Sequence, residues 1–208
     1  MGILGLIMVM LFSIFEQINK AWLQSENRVE TFTQARAILD LMSRELSQAV
    51  VSPKITFYGK DANDVYFIAP VNTTTNVADL CEVGYVFDPN LFTLTRRLTL
   101  SDNTRWDFYA SPAAWWRTFD TTKDAVLATA TNILNLSFQY LDINGNAIPY
   151  GAPANKLPYS IVISLDAVDS RTAARLALVP NVGTAWLPIT NSTLRSFSTT
   201  VYLPNLTP

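Results

Sequence analysis

The chain has 208 residues, with 15 Lys plus Arg against 17 Asp plus Glu, a net charge of −2 and no histidine. With a pI near 5.1 it has no basic field to hold phosphates, so nucleic acid is not an expected partner. No histidine and a single cysteine, Cys81, remove Ser-His and Cys-His catalysis, the usual zinc sites and any disulfide within the chain.

Hydrophobic residues make up 49% and charged residues 15%, with Thr, Asn and Ser filling much of the second half. That composition suits an exported surface, and the length suits one domain with an N-terminal extension.

The opening stretch, MGILGLIMVMLFSIFEQINKAW, is uncharged from Met1 to Phe15. It lacks the basic n-region and the small-residue cleavage site of a secretory signal. The apolar run carries Ile3, Leu4, Leu6, Ile7, Val9, Leu11, Phe12, Ile14 and Phe15. By itself it falls short of the roughly 20 residues that cross a bilayer as a helix.

The pattern continues past Phe15. Ile18, Trp22, Ser25, Val29, Phe32, Ala35, Leu39, Met42, Leu46 and Ala49 recur at steps of three or four, the spacing of one helical face. No Gly or Pro interrupts Leu6 to Ser52, and the Ser52-Pro53 step supplies a stop. The spacing predicts one helix to Val50, about 70 Å long.

Its first half is apolar all round and needs lipid or other helices; its second half is one-sided and packs on a domain. Trp22, Val29, Phe32, Leu39, Met42 and Leu46 are the expected helix-to-domain contacts. The charges do not settle into the repeated e/g pattern of a coiled-coil stalk. The expected divisions are 1–22 for the membrane or filament segment, 23–52 for the amphipathic continuation and 53–208 for a β-rich domain.

After Pro53 the period changes to two: Ile55 and Phe57, Val65 and Phe67, Val83, Tyr85 and Phe87, Leu94 and Leu98. Turn residues punctuate these strands at Gly59 to Asp64, Asp88 to Asn90 and Asp142 to Asn146, the last with the Asn-Gly pair of tight hairpins. Later strands are marked by Leu134, Leu136, Phe138 and Tyr140, by Ile161, Ile163 and Leu165, and by Val201 and Leu203. A long N-terminal helix packed on antiparallel sheets makes this an α+β chain.

Several residue groups invite a chemical role. Asp142, Asn144 and Asn146 alternate as calcium ligands do, but no Glu follows at the twelfth place, so a hairpin turn is the better reading. Trp115 and Trp116, near Trp106 and Tyr109, pack in a core or loop, or form an aromatic platform for a sugar or partner. Arg96 and Arg97 alternate across a strand, which predicts one solvated face and one ion pair between domain and helix.

Cys81 is expected to be an inert small hydrophobe beside Glu82. Glu26 with Glu30, and Asp40 with Glu45, are expected at solvated helix positions. No residue set calls for a cofactor or a metal, and no enzyme chemistry is expected.

The run from Ile3 to Val50 resembles the N-terminal helix of type IV pilin-like proteins. Its ending, ARAILDLMSRELSQAV, is most similar to the minor pseudopilin J (PulJ/GspJ) of type II secretion. EVGYVFDPNLFTLTRRL resembles that family's strand-turn-strand, VLATATNILNLSFQYLDINGNAIP its central strand and turn, and LPYSIVISLDAVD the strand that follows. A verrucomicrobial prepilin-like cassette family shares the general plan. The tail from Ser170 to Pro208 is less clearly matched.

The family's basic leader, Gly at the cleavage point, aromatic, Thr and Glu at the fifth mature position are not among these residues. The resemblance therefore implies that Ile3 lies about ten residues into the mature helix, with a truncated start.

It further implies a structural minor subunit that helps initiate or cap a pseudopilus of a type II secretion or pilus-like machine. Such a subunit sits in the bacterial inner membrane with its domain in the periplasm or on the cell surface. It meets other minor pseudopilins through the N-terminal helix, where Gly5 permits close approach. A single-pass, membrane-anchored β-rich binding domain or adhesin is the alternative.

Overall fold

The computed structural model describes residues 2–51, 55–71, 79–100, 125–149, 151, 157–179, 187–190 and 193–203. Helix α1, Gly2–Leu46, runs for 45 residues, about 68 Å at 1.5 Å per residue. It stops four residues short of the predicted Val50, because the chain is captured by a strand. The Val50 N–H donates to the Ile68 carbonyl at 2.8 Å, in an isolated antiparallel bridge. Ser47 Oγ donates to the Arg44 carbonyl at 2.8 Å and so satisfies one of the helix's last acceptors. The Pro53 stop lies outside the described residues.

Five strands follow as an antiparallel meander: β1 (Tyr58–Gly59), β2 (Val65–Val71), β3 (Asp79–Asp88), β4 (Thr93–Leu100) and β5 (Ala125–Ala130). A second antiparallel sheet is formed by β6 (Ile133–Leu141), β7 (Ser160–Ala167) and β8 (Arg195–Tyr202). Two short helices, α2 (Ser170–Leu176) and α3 (Leu187–Thr190), lie between β7 and β8.

Alternation sorts the side chains as the period-two pattern requires. Val65 and Phe67 of β2, Val83 and Tyr85 of β3, and Leu94 and Leu98 of β4 enter one core with Leu136, Phe138, Ile161 and Ile163 of the second sheet. Cys81 is buried in that core and behaves as a small hydrophobe. The other face of β2 buries Tyr66 and Ile68 in a smaller cluster with Ile55, Tyr58, Leu80 and Val86.

The sheets are tied where they meet. The Phe138 N–H donates to the Ala62 carbonyl at 2.7 Å and the Ile133 N–H to the Phe92 carbonyl at 3.1 Å. The Phe57 ring stands edge-on to Tyr140 at 5.6 Å and stacks on Phe67 at 6.5 Å. Gly59 is required at this seam, since a Cβ there would collide with the Tyr140 ring. Phe92 takes φ 54°, a costly conformation for a bulky residue. It is held by the burial of its ring and by the preceding turn, where Asp88 accepts from the Asn90 and Leu91 N–H groups at 2.8 and 3.2 Å.

Candidate functional site: an exposed apolar helix clamped to the sheet

Along the first half of α1, Ile3, Ile7, Leu11, Phe12, Ile14 and Phe15 are all exposed, Phe12 at 73%. The helix backbone also passes through Leu4, Leu6 and Val9, whose side chains lie outside the described residues. Apart from the helix's own backbone and the flanking residues, nothing described lies within 4 Å of where a Gly5 Cβ would sit. Each large apolar side chain left in water forgoes about 1.5–3 kcal/mol of burial, and a continuous patch of this kind marks a surface that meets something. Among the described residues no helix is long and apolar enough to cross a membrane.

The domain-facing stripe begins lower down. Ala35, Leu39, Met42 and Leu46 are buried against the sheets. Trp22 and Val29, expected to pack there, stand 70% and 62% exposed, and Phe32 is also exposed while its ring meets Phe197 of β8 edge-on at 5.6 Å.

The reason is geometric. A series spaced at slightly under 3.5 residues drifts around a helix of 3.6 residues per turn. Over the run from Ile18 to Ala49 it moves roughly a third of the circumference. What reads as one face is a spiral, and every described residue of α1 before Thr31 is exposed, so the helix has passed beyond the domain by Val29 and Trp22.

A polar clamp fixes the lower end. Tyr85 and Arg96 are directly opposite each other on β3 and β4, and both reach Glu45 in the last turn of α1. Arg96 Nε donates to Glu45 Oε2 at 2.9 Å and Nη2 to Oε1 at 2.5 Å, while the Tyr85 hydroxyl donates to Oε2 at 2.5 Å. Glu45 is 5% exposed and Arg96 7%.

Burial pushes the Tyr85 phenol up, and the adjacent Glu45 charge adds to it. Burial pulls the Arg96 guanidinium down, and the Glu45 carboxylate more than offsets that, so its pKa ends above the usual value. The ion pair between domain and helix is thus present. The solvated position expected for Glu45 is corrected, as is the solvated face expected beside Arg96. Arg97, on the opposite side of β4, is also buried.

The remaining candidates are structural. Asp142 closes its turn by accepting from the Asn144 N–H at 2.9 Å, the Asn146 N–H at 2.7 Å and Asn146 Nδ2 at 3.1 Å. Those bonds, the Asn146 amide first, hold its carboxyl below the usual range. Gly145 supplies φ 81°. Among the described residues no three His, Cys, Asp or Glu side chains gather as a metal site.

Glu26, Glu30 and Asp40 are exposed, and Asp40 lies 4.0 Å from Arg36 in a surface pair. Trp106, Tyr109, Trp115 and Trp116 lie outside the described residues.

Sequence reasoning missed α2. Its signal was present in Asp169, whose carboxylate caps the helix by accepting from the Thr172 N–H at 2.9 Å and from the Thr172 hydroxyl at 2.8 Å.

No protein-family model matches the sequence, and no curated protein matches it. Among solved structures, the chain is similar to a type IV-like pilin from Thermus thermophilus. The TM-score is 0.50 at 10% identity, covering 84% of this chain and 97% of that one. At that identity the likeness is one of architecture, and it joins the long helix and the antiparallel sheets in a single description: the chain has a type IV pilin-like α+β fold.

Proposed function

We propose that the chain is a minor pilin-like subunit of the pseudopilin J type, which helps initiate or cap the pseudopilus of a type II secretion or pilus-like machine. Its apolar helix half rests in the bacterial inner membrane and then joins a bundle of partner subunit helices, while the sheet domain faces the periplasm or cell surface. The role is mechanical and uses no cofactor.

The observation that carries this reading is the continuity of α1: an exposed apolar half and a domain-packed half in one uninterrupted helix. The junction supports a filament subunit over an anchor on a flexible tether, because Val50 pairs with Ile68 four residues after the helix ends.

The test is complementation of a gene deletion in the native host. The wild-type chain is expected to restore filaments or secretion, and Phe12→Asp with Phe15→Asp to fail while the domain keeps its thermal midpoint. Full complementation by the charged variant refutes the reading.

A further inference from the structure

The three-stranded sheet ends on β8, whose outer side is open. The Leu203 N–H donates to the Tyr159 carbonyl at 3.2 Å, in step with the register that sets Val201 opposite Ile161. Backbone groups alternate sides along a strand, so Phe197, Thr199 and Val201 spend theirs on β7. Ser196, Ser198, Thr200 and Tyr202 turn both N–H and C=O the other way. The Phe138 N–H, which leaves β6 for the Ala62 carbonyl, requires the same parity when carried across β7. Among the described residues nothing pairs with that side of β8.

Two other edges of the fold are blunted. β1 is two residues long, and β6 is tied to the first sheet through Ile133 and Phe138. β8 runs for eight residues in unbroken register, with no Pro, Lys or bulge to discourage pairing. Its one charge, Arg195, stands at the end and turns Nη1 back to the Leu194 carbonyl at 2.7 Å. Asp166, opposite Ser196 on β7, is taken up by Ser196 Oγ at 2.6 Å and Asn135 Nδ2 at 3.3 Å.

The two faces of β8 set what an added strand would carry. On the outer face it would lie beside the exposed Ser196, Ser198, Thr200 and Tyr202. On the inner face it would lie beside the half-buried Phe197 and Thr199, where Phe32 of α1, 53% exposed, meets the Phe197 ring. Arg28, Glu30 and Arg36 on the adjoining turns of α1 carry both signs, so alternation and not charge makes the selection. A second copy of β8 would join antiparallel about a two-fold axis normal to the sheet. That would reverse one α1 against the other, whereas the membrane-embedded helix proposed above needs both to point one way.

We propose that the open side of β8 binds an extended segment of a different protein by antiparallel strand addition, a segment about seven residues long, polar outward and apolar inward. Only the choice against a second copy rests on the pilin-like reading; the open edge does not.

The probe is a fluorescent peptide of alternating Thr and Val, about seven residues long, titrated by anisotropy against the full chain in detergent micelles. One version has its Val amides N-methylated, the other its Thr amides. With Thr outward, only the Val-methylated peptide keeps its N–H groups towards β8, and it is expected to bind about tenfold tighter or more. Ser198→Pro deletes an outward N–H that β7 does not use. It is expected to weaken that binding about tenfold and to leave the thermal midpoint little changed.

Equal affinity of the two peptides, no binding by either, or binding that survives Ser198→Pro in a folded chain overturns the proposal. So does a full-chain dimer that Ser198→Pro dissociates, which assigns the edge to a second copy. Should Ser198→Pro fail to fold, the two peptides on the wild-type chain still decide the matter. Peptide binding is read without a filament, so failed complementation by the wild-type chain removes the filament reading and leaves this result standing.

Discussion

Glu45→Ala deletes the carboxylate shared by Arg96 and Tyr85 and leaves a guanidinium buried without its counter-charge. Both charged groups are under a tenth exposed, so water cannot replace the lost partner cheaply. Breaking a buried pair from one side costs about 3–5 kcal/mol, since the survivor keeps its desolvation cost.

Removing both charges and the hydroxyl together, as Glu45→Leu with Arg96→Met and Tyr85→Phe, is expected to come out near neutral, because no buried polar group is then left without a partner. Tyr85→Phe removes one hydrogen bond to a charged acceptor and is expected to cost about 1.5–3 kcal/mol. Urea denaturation followed by circular dichroism, extrapolated linearly to water, reads these values. The single Glu45→Ala change should also lower the thermal midpoint by on the order of 10 °C in a protein of this size. The reasoning is refuted if Glu45→Ala stays within about 1 kcal/mol of wild type, or if the triple variant falls as far as the single.

Three further outcomes are expected. Burial, with Asp64 beside it, pushes the Tyr66 phenol up to about 12. The folded state therefore holds that proton more tightly than the unfolded chain, and the associated stability is full below about pH 10 and is lost as pH rises towards about 12. Tyr66→Phe should show a shallower alkaline loss in denaturation midpoints taken across that window. Gly59→Ala, whose Cβ meets the Tyr140 ring, should destabilise by about 1–3 kcal/mol in the same urea assay. Asp169→Ala removes the α2 cap and should cost about 1 kcal/mol, with faster amide hydrogen exchange confined to the first turn of α2.

The strands were legible because alternation is a strict period. Leu136, Phe138 and Tyr140 face inward together, and so do Leu94, Arg96 and Leu98. That same alternation placed Arg96 among apolar neighbours, so its burial could be read from position, though its residue type argued for solvent. Glu45 is the mirror case on the helix. It lies three residues after Met42 and seven after Ile38, on the domain face by periodicity, and the general habit of Glu obscured it.

Trp22 was misplaced for the opposite reason. A spacing of three and four shows which way a helix face points but not how far a domain reaches along it, and every described residue of α1 before Thr31 is exposed. The tail held a capped helix at Asp169, but seven residues carry too weak a period to announce themselves.

The bridge from Val50 to Ile68 of β2, four residues past the end of α1, makes the helix a lever with little slack at its fulcrum. Some 30 residues project beyond the first buried position, about 43 Å of rod. A tilt of about 10° where Glu45 grips Arg96, about 64 Å along the helix from Gly2, carries Gly2 by about 11 Å. Conversely, traction on the projecting helix loads Val50 against Ile68 and reaches β2, an inner strand of the five-stranded sheet. Whatever grips the rod thereby sets the attitude of the whole domain.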